Sequence, residues 1–262
     1  MNNKGPIGIF DSGVGGTSIW RAIQAQMPME HTLYLADSRN APYGKKSKAE
    51  ITALSVKNTE FLIAQGAKII VVACNTATTN AIDHLRASYD LPFIGIEPAI
   101  KPAALQTQTK SIGILATQGT LSSALFAKTS ETFAKDIQVI EVIGSGLVEL
   151  IESDQIQSPE MLELLNKYLA PMKAAKVDHL VLGCSHYPYL IPLISSLLGK
   201  GVNIIDSGLA VARQTQRILT QHELLCEQQD PQHLFYTNGN PQVLKRLLAD
   251  NTAPKQISYK DF

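Results

Sequence analysis

Short apolar runs rich in Ile and Val alternate along the chain with longer stretches whose apolar residues recur at helical spacing. Ile7–Phe10, Thr32–Ala36, Ile69–Ala73, Phe93–Ile96, Ile112–Leu115, Gln138–Val142, His179–Leu182 and Val202–Ile205 predict strands. Most lack polar alternation, the mark of strands buried on both faces of a parallel sheet. Between them, Thr17–Gln26, Lys48–Gln65, Ala77–Ala87, Ser122–Phe133, Pro159–Lys173, Tyr189–Leu198 and Leu209–Leu219 predict helices. Strand and helix in alternation predict an α/β architecture with mostly parallel sheets.

A weak internal repeat divides this pattern in two. Ile7-Gly8-Ile9 and Ile112-Gly113-Ile114 each open a strand, 105 residues apart, and each strand runs into a short glycine-containing loop. Val71-Val72-Ala73-Cys74-Asn75-Thr76 matches Val181-Leu182-Gly183-Cys184-Ser185-His186 at an offset of 110. Two matches in the same order at nearly the same offset predict two pseudo-symmetric α/β lobes, with a site in the cleft between them.

Composition narrows the function. The 262 residues carry 23 Lys and Arg against 23 Asp and Glu, so no electrostatic footprint for nucleic acid or an anionic membrane is present. With 45% hydrophobic residues the chain is globular rather than disordered. No apolar run approaches the roughly 18 residues of a membrane span. MNNKGPIGIF shows no apolar signal region or cleavage site. Three widely spaced cysteines, Cys74, Cys184 and Cys226, form no disulfide framework and suit a reducing compartment. The expected location is the cytoplasm. No coiled coil is legible, and a homodimer is the default expectation because two-fold dimers are the commonest assembly.

The repeat places Cys74 and Cys184 at the carboxyl ends of equivalent strands, just before helices, where open α/β sheets bind ligands. A helix N-terminus favours thiolate. Either cysteine alone is as well explained by packing. Two at equivalent positions, each followed by polar residues, point to two thiols facing one ligand from opposite sides. Inverting a tetrahedral carbon by proton transfer needs a base on one face and an acid on the other, and two thiols can exchange those roles. Asp11 ends the first strand and is a candidate partner for Cys74, or simply a turn residue. His186 is the candidate partner for Cys184, or a solvated residue of a first helical turn.

The run Asp11–Gly16 lacks both G-x-G-x-x-G and the P-loop ending, so it predicts backbone N–H groups offered to a small anion rather than a dinucleotide site. Asn75-Thr76 and Ser185-His186 would add two more helix N-termini. Cys184-x-His186 could be half of a zinc site, but no second ligand pair lies near it, and no metal is expected. Tyr43 and Gly44, in Asp37–Lys46, could line a pocket mouth or form an ordinary turn. Three other readings compete: racemisation of aspartate or another acidic amino acid, an amino-acid sensor, which needs no thiol pair, and a cysteine hydrolase, which needs one thiol and a histidine base.

The motifs IGIFDSGVGG, APYGKK, VVACNTAT, VLGCSHYP and IIDSG together resemble the glutamate racemases, of the aspartate/glutamate racemase superfamily. The resemblance runs from Ile7 to about Gly208 in the family's order. It implies isomerases that need no cofactor, interconvert L- and D-glutamate, and supply D-glutamate for peptidoglycan. It implies that the C-terminal segment packs back on the first lobe, giving lobes 1–97 plus 210–262 and 98–209. Carried over by position, Cys74 and Cys184 match the catalytic thiols, acting on D- and L-glutamate respectively. Asp11 matches the acid that assists the first and His186 the residue that assists the second. Glu152 matches a further acidic helper, with Glu149 as competitor, because Gly144-Ser145-Gly146 stands where many members carry Cys-Pro. Substrate contacts map to Asp11, Ser12, Tyr43, Gly44, Asn75, Thr76, Ser185 and His186, with Thr117 and Thr120 beside them. Many members have Thr where Ser185 stands, and the hydroxyl survives.

Overall fold

The computed structural model describes residues 5–226 and 230–262. Met1–Lys4, part of the N-terminal segment read above, lie outside the described residues. The first half runs β1 (Ile7–Asp11), α1 (Thr17–Gln26), β2 (Thr32–Ala36), α2 (Lys48–Ala64), β3 (Ile69–Val72), α3 (Asn75–Ser88) and β4 (Phe93–Gly95). Then follow α4 (Ile100–Gln106), β5 (Ser111–Ala116), α5 (Gln118–Leu121), α6 (Ala124–Phe133), β6 (Gln138–Ile143), α7 (Leu147–Glu152), α8 (Pro159–Ala174), β7 (His179–Gly183), α9 (Ile191–Leu198) and β8 (Asn203–Ile205). The chain closes with α10 (Gly208–Gln221), β9 (His233–Thr237), α11 (Pro241–Leu247) and β10 (Gln256–Tyr259).

Two parallel sheets result, ordered β10-β9-β2-β1-β3-β4 and β6-β5-β7-β8. The orders β2-β1-β3-β4 and β6-β5-β7-β8 are the same arrangement, so β1 corresponds to β5 and β3 to β7. That correspondence is the structural form of the offsets in sequence. Every residue of β1, β2, β3, β5 and β7 is buried, which explains their continuous apolar runs. The sheets differ at one edge. β9 pairs with β2 and covers it, whereas β6 is a partly exposed edge. Trp20 of α1 fixes β9 in place: its ring meets Phe235 edge-on at 4.8 Å, and its indole N–H donates to Thr32 Oγ1 at 2.9 Å. Truncating such a buried ring costs on the order of 3–5 kcal/mol.

The chain passes between the sheets twice, after β4 and after β8. The two crossings are tied together where Ser207 Oγ donates to the Glu97 carbonyl at 2.6 Å. Among the described residues no helix is long and apolar enough to cross a membrane.

Several local features differ from the sequence expectations, and the short helices α4, α7 and α11 stand where no helix was expected. β9 and β10 were not predicted: His-Leu-Phe-Tyr-Thr has no Ile or Val run, and β10 is a largely exposed edge. Thr117–Thr120 is not a loop but the start of the short α5, capped by the Thr117 side chain. Cys184 does not sit at an α-helix N-terminus. A 3-10 turn, Tyr187–Leu190, intervenes before α9. An α-helix begun at Ser185 would carry Pro192 in its interior, where proline lacks the N–H and clashes with the preceding turn. The helix therefore starts at Ile191, with Pro192 in its first turn.

Candidate active site

Cys74 follows β3 and is the N-cap of α3. Its sulfur accepts from the Ala77 backbone N–H at 3.4 Å, and its thiol donates to Ser12 Oγ at 3.6 Å. The thiol is nonetheless pushed up, first by burial and then by the nearby Asp11 carboxylate. Desolvation thus outweighs the lowering expected from the helix N-terminus. Cys74 rests as a protonated thiol, able to give a proton.

Cys184 follows β7 in the other sheet, and its surroundings are different. Its sulfur lies 3.8 Å from His186 Nδ1. Burial disfavours the imidazolium, but Cys184, Glu152 and Asp11 overcome it, and the ring is held well above the usual histidine range. The protonated ring donates from Nε2 to Glu152 Oε1 at 2.6 Å. The same oxygen accepts the Val14 N–H at 2.6 Å, and Ser38 Oγ donates to Glu152 Oε2 at 2.8 Å. Cys184, His186 and Glu152 therefore form a continuous chain. Glu149 is not in it. Its carboxylate pairs instead with Lys45 at 2.5 Å, where both side chains meet solvent. Glu152 is aimed by the start of α7. Gly146 there has φ +86°, a left-handed turn suited to glycine, and it swings the chain out of β6.

Asp11 lies between the two arms. Oδ2 accepts the Gly13 and Gly16 N–H groups at 3.2 and 2.9 Å, and Oδ1 accepts Ser185 Oγ at 3.0 Å. Its carboxyl is raised, chiefly by burial, with His186 pulling the other way. Its hydrogen bonds thus join the loop after β1 to the loop after β7. Its influence on Cys74 is electrostatic.

The glycines of Asp11–Gly16 also make room for the second arm. A Cβ at Gly13 would stand 1.9 Å from Glu152 Oε1, and one at Gly15 would stand 2.2 Å from His186 Nδ1. The loop is bare because the Glu152–His186 pair lies directly against it.

Between the thiols is a narrow cleft with a free volume of about 10 Å³, close to the space of one water. Cys74 and Cys184 both line it, with Ser12, Tyr43, Gly44, Asn75, Thr76, Thr117, Ser185 and His186 from the predicted contacts and Pro42 and Val148 besides. Among the described residues no arginine or lysine lines it. Asp11 and Glu152 stand behind this layer. So does Thr120, whose hydroxyl bonds Thr76 at 3.3 Å and Thr117 at 3.0 Å. Tyr43 offers its ring only, since its hydroxyl donates to Asp37 Oδ2 at 2.5 Å. Asn75 is buried, yet neither its Nδ2 nor its Oδ1 has a hydrogen-bond partner in the protein. Its amide is therefore open to a ligand or an ordered water in the cleft. Sequence reasoning missed Val14, Asp37 and Ser38. The available signal was a polar Asp-Ser pair directly after the buried β2.

Comparison with known proteins gives the same family as the motifs. The Asp/Glu/Hydantoin racemase family matches residues 16–215. A glutamate racemase of Ectopseudomonas mendocina is 49% identical over 94% of this chain and 94% of its own length. A glutamate racemase isoform from Bacillus anthracis superposes with TM-score 0.85 at 30% identity, covering 98% of this chain and 97% of that one. Escherichia coli glutamate racemase, solved with L-glutamate and the activator UDP-MurNAc-Ala, gives TM-score 0.84 at 32% identity over 94% of each chain. The chain belongs to the Asp/Glu/hydantoin racemase family and, within it, to the glutamate racemases.

Proposed function

We propose that this protein interconverts L- and D-glutamate by proton transfer between two thiols, with no cofactor. The observation that carries the reading is that Cys74 and Cys184, at equivalent strand ends of two like sheets, line one narrow cleft. From L-glutamate, Cys184 as thiolate removes the α-proton, and the Cys74 thiol delivers its own to the opposite face. The enzyme is left with the proton on Cys184 and the charge on Cys74, the form that takes D-glutamate back. His186, held protonated against Glu152, steadies charge on the Cys184 side and exchanges its proton there. Ser12 and the Ala77 N–H steady charge on Cys74 by hydrogen bonding only. The hard step is a carbanion beside a carboxylate. The open Asn75 amide faces that charge, beside the Thr76 and Thr117 hydroxyls, which are bonded to each other at 2.8 Å.

The same reading takes 1–97 with 210–262 and 98–209 as the two lobes. It assigns the enzyme to the cytoplasm, supplying D-glutamate for peptidoglycan, and a homodimer as its assembly. The deciding experiment is incubation with L-glutamate in deuterated water without added cofactor. The expected outcome is loss of optical rotation with deuterium entering the α-position. Activity that requires pyridoxal phosphate, or that persists in Cys74→Ser and Cys184→Ser, would overturn the reading. L-Aspartate in a parallel arm tests substrate class.

A further inference from the structure

We infer that Ser38 is a positioning residue that acts through Glu152 and His186 on the Cys184 thiol alone, so that only one of the two proton transfers depends on it. The inference rests on the two-thiol reading above. Glu152 belongs to the second-sheet half of the chain, but two of its three donors come from the first. Oε1 holds His186 Nε2 and the Val14 N–H, each at 2.6 Å, and Oε2 holds Ser38 Oγ at 2.8 Å. The terminal torsion of a glutamate is broad and roughly two-fold, so a carboxylate gripped through one oxygen can turn. Ser38 pins the second oxygen and thereby keeps the first in line with the imidazole.

Ser38 is itself held firmly. It opens the 3-10 turn Ser38–Asn40, directly after Asp37. The buried Asp37 carboxylate accepts Tyr43 OH at 2.5 Å, Asn40 Nδ2 at 2.8 Å and Asn238 Nδ2 at 2.6 Å. Gly239, beyond β9, presses on Ser38 so closely that a Cβ there would stand 2.6 Å from the Ser38 Cβ. The C-terminal segment thus backs the serine, and the serine backs the carboxylate. The Cys74 thiol makes no hydrogen bond to this chain, since its partners are Ser12 and the Ala77 N–H, and it feels the chain only through the field of Asp11.

Enantiomers have equal free energies in water, so kcat/KM must stay equal in the two directions in any variant. A defect on one arm therefore shows in isotope effects. Raising the barrier at Cys184 makes that transfer limiting in both directions. The α-deuterium effect on kcat/KM then grows with L-glutamate, whose proton Cys184 removes. It shrinks with D-glutamate, whose proton Cys74 removes.

The test uses the full chain with α-protonated and α-deuterated L- and D-glutamate. Ser38→Ala is expected to lose about tenfold in kcat/KM in both directions, as for a charge-assisted hydrogen bond felt through a relay. Its isotope effect should rise for L- and fall for D-glutamate, and Ser38→Thr should restore both. Ser12→Ala should move the two isotope effects the opposite way. A Ser38→Ala enzyme within twofold of wild type overturns the inference. So does a loss with both isotope effects unchanged, or one that Ser38→Thr fails to restore at an unaltered unfolding midpoint. Wild-type protein that exchanges neither enantiomer overturns the racemase reading and this inference with it. Racemisation by wild type with an indifferent Ser38 overturns this inference alone.

Discussion

Cys74 and Cys184 occupy the same position in two sheets of the same strand order, yet they are served by different chemistry. Cys74 caps a 14-residue helix, and its hydrogen bonds are to a hydroxyl and an amide N–H. Cys184 precedes a 3-10 turn and has an imidazole backed by a carboxylate. The neighbouring residues diverge in the same way. Asn75 keeps its amide open, while its counterpart Ser185 is committed to Asp11. Duplicated backbones therefore supply two opposed positions, and unlike side chains make one arm rest as an acid and the other stand beside a held cation. A racemase needs that inequality, because one thiol must be protonated whenever the other is not.

The sharpest way to break the comparison is to remove each thiol. Cys74→Ala and Cys184→Ala should each lower racemisation at least about a hundredfold, the scale of general acid–base catalysis. NMR in deuterated water should still find α-proton exchange of L-glutamate by the first variant and of D-glutamate by the second. Exchange of both enantiomers by either variant would dissolve the assignment of arms. Next in size is the pair after the thiols. Asn75→Ala should lose about 10- to 100-fold in kcat/KM, the scale of a hydrogen bond to a charged group, with no loss of stability. Ser185→Ala, which strips a donor from buried Asp11, should instead cost about 1.5–3 kcal/mol in denaturant unfolding. Equal stability effects from the two would show that the residues are not differently committed.

Gly13→Ala strikes the carboxylate side of the Cys184 arm. Its Cβ would displace Glu152, with an overpacking cost of about 1–3 kcal/mol, and it should shift the isotope effects as Ser38→Ala does. The smallest expected effect is on stability against pH. His186 is raised above the ordinary histidine value of 6.5, so its protonated pairing contributes fully below pH 6.5 and is lost as pH rises through the raised value. The wild-type denaturant midpoint should fall over that interval, and His186→Gln should be flatter. A parallel fall in the variant would place the titrating group elsewhere.

Much of the scaffold was legible because buried parallel strands advertise themselves. Five strands buried at every residue leave continuous Ile- and Val-rich runs, and the repeat around Cys74 and Cys184 marks their order. β9 escaped because aromatic and polar residues build it, and its place beside β2 depends on Trp20 and Phe235, which are 215 residues apart in sequence. The helix expected at Cys184 was displaced by Pro192. The choice between Glu149 and Glu152 was open in sequence. They are three residues apart on α7, and only the fold decides that one meets Lys45 and the other His186.

By itself, the sequence determined the strand and helix alternation, the duplicated strand ends and the two thiols they carry. These follow from local periodicity and from residue types that need no distant partner to be read. Only the tertiary structure decided how each thiol is served, which carboxylate joins the chain, why Asp11–Gly16 is bare, and that Asp37 and Ser38 belong with the site. Those outcomes depend on contacts between segments more than a hundred residues apart, such as Val14 with Glu152 and Asp11 with Ser185. Packing of one sheet's loops on the other's creates those contacts, and no local pattern in the chain encodes it.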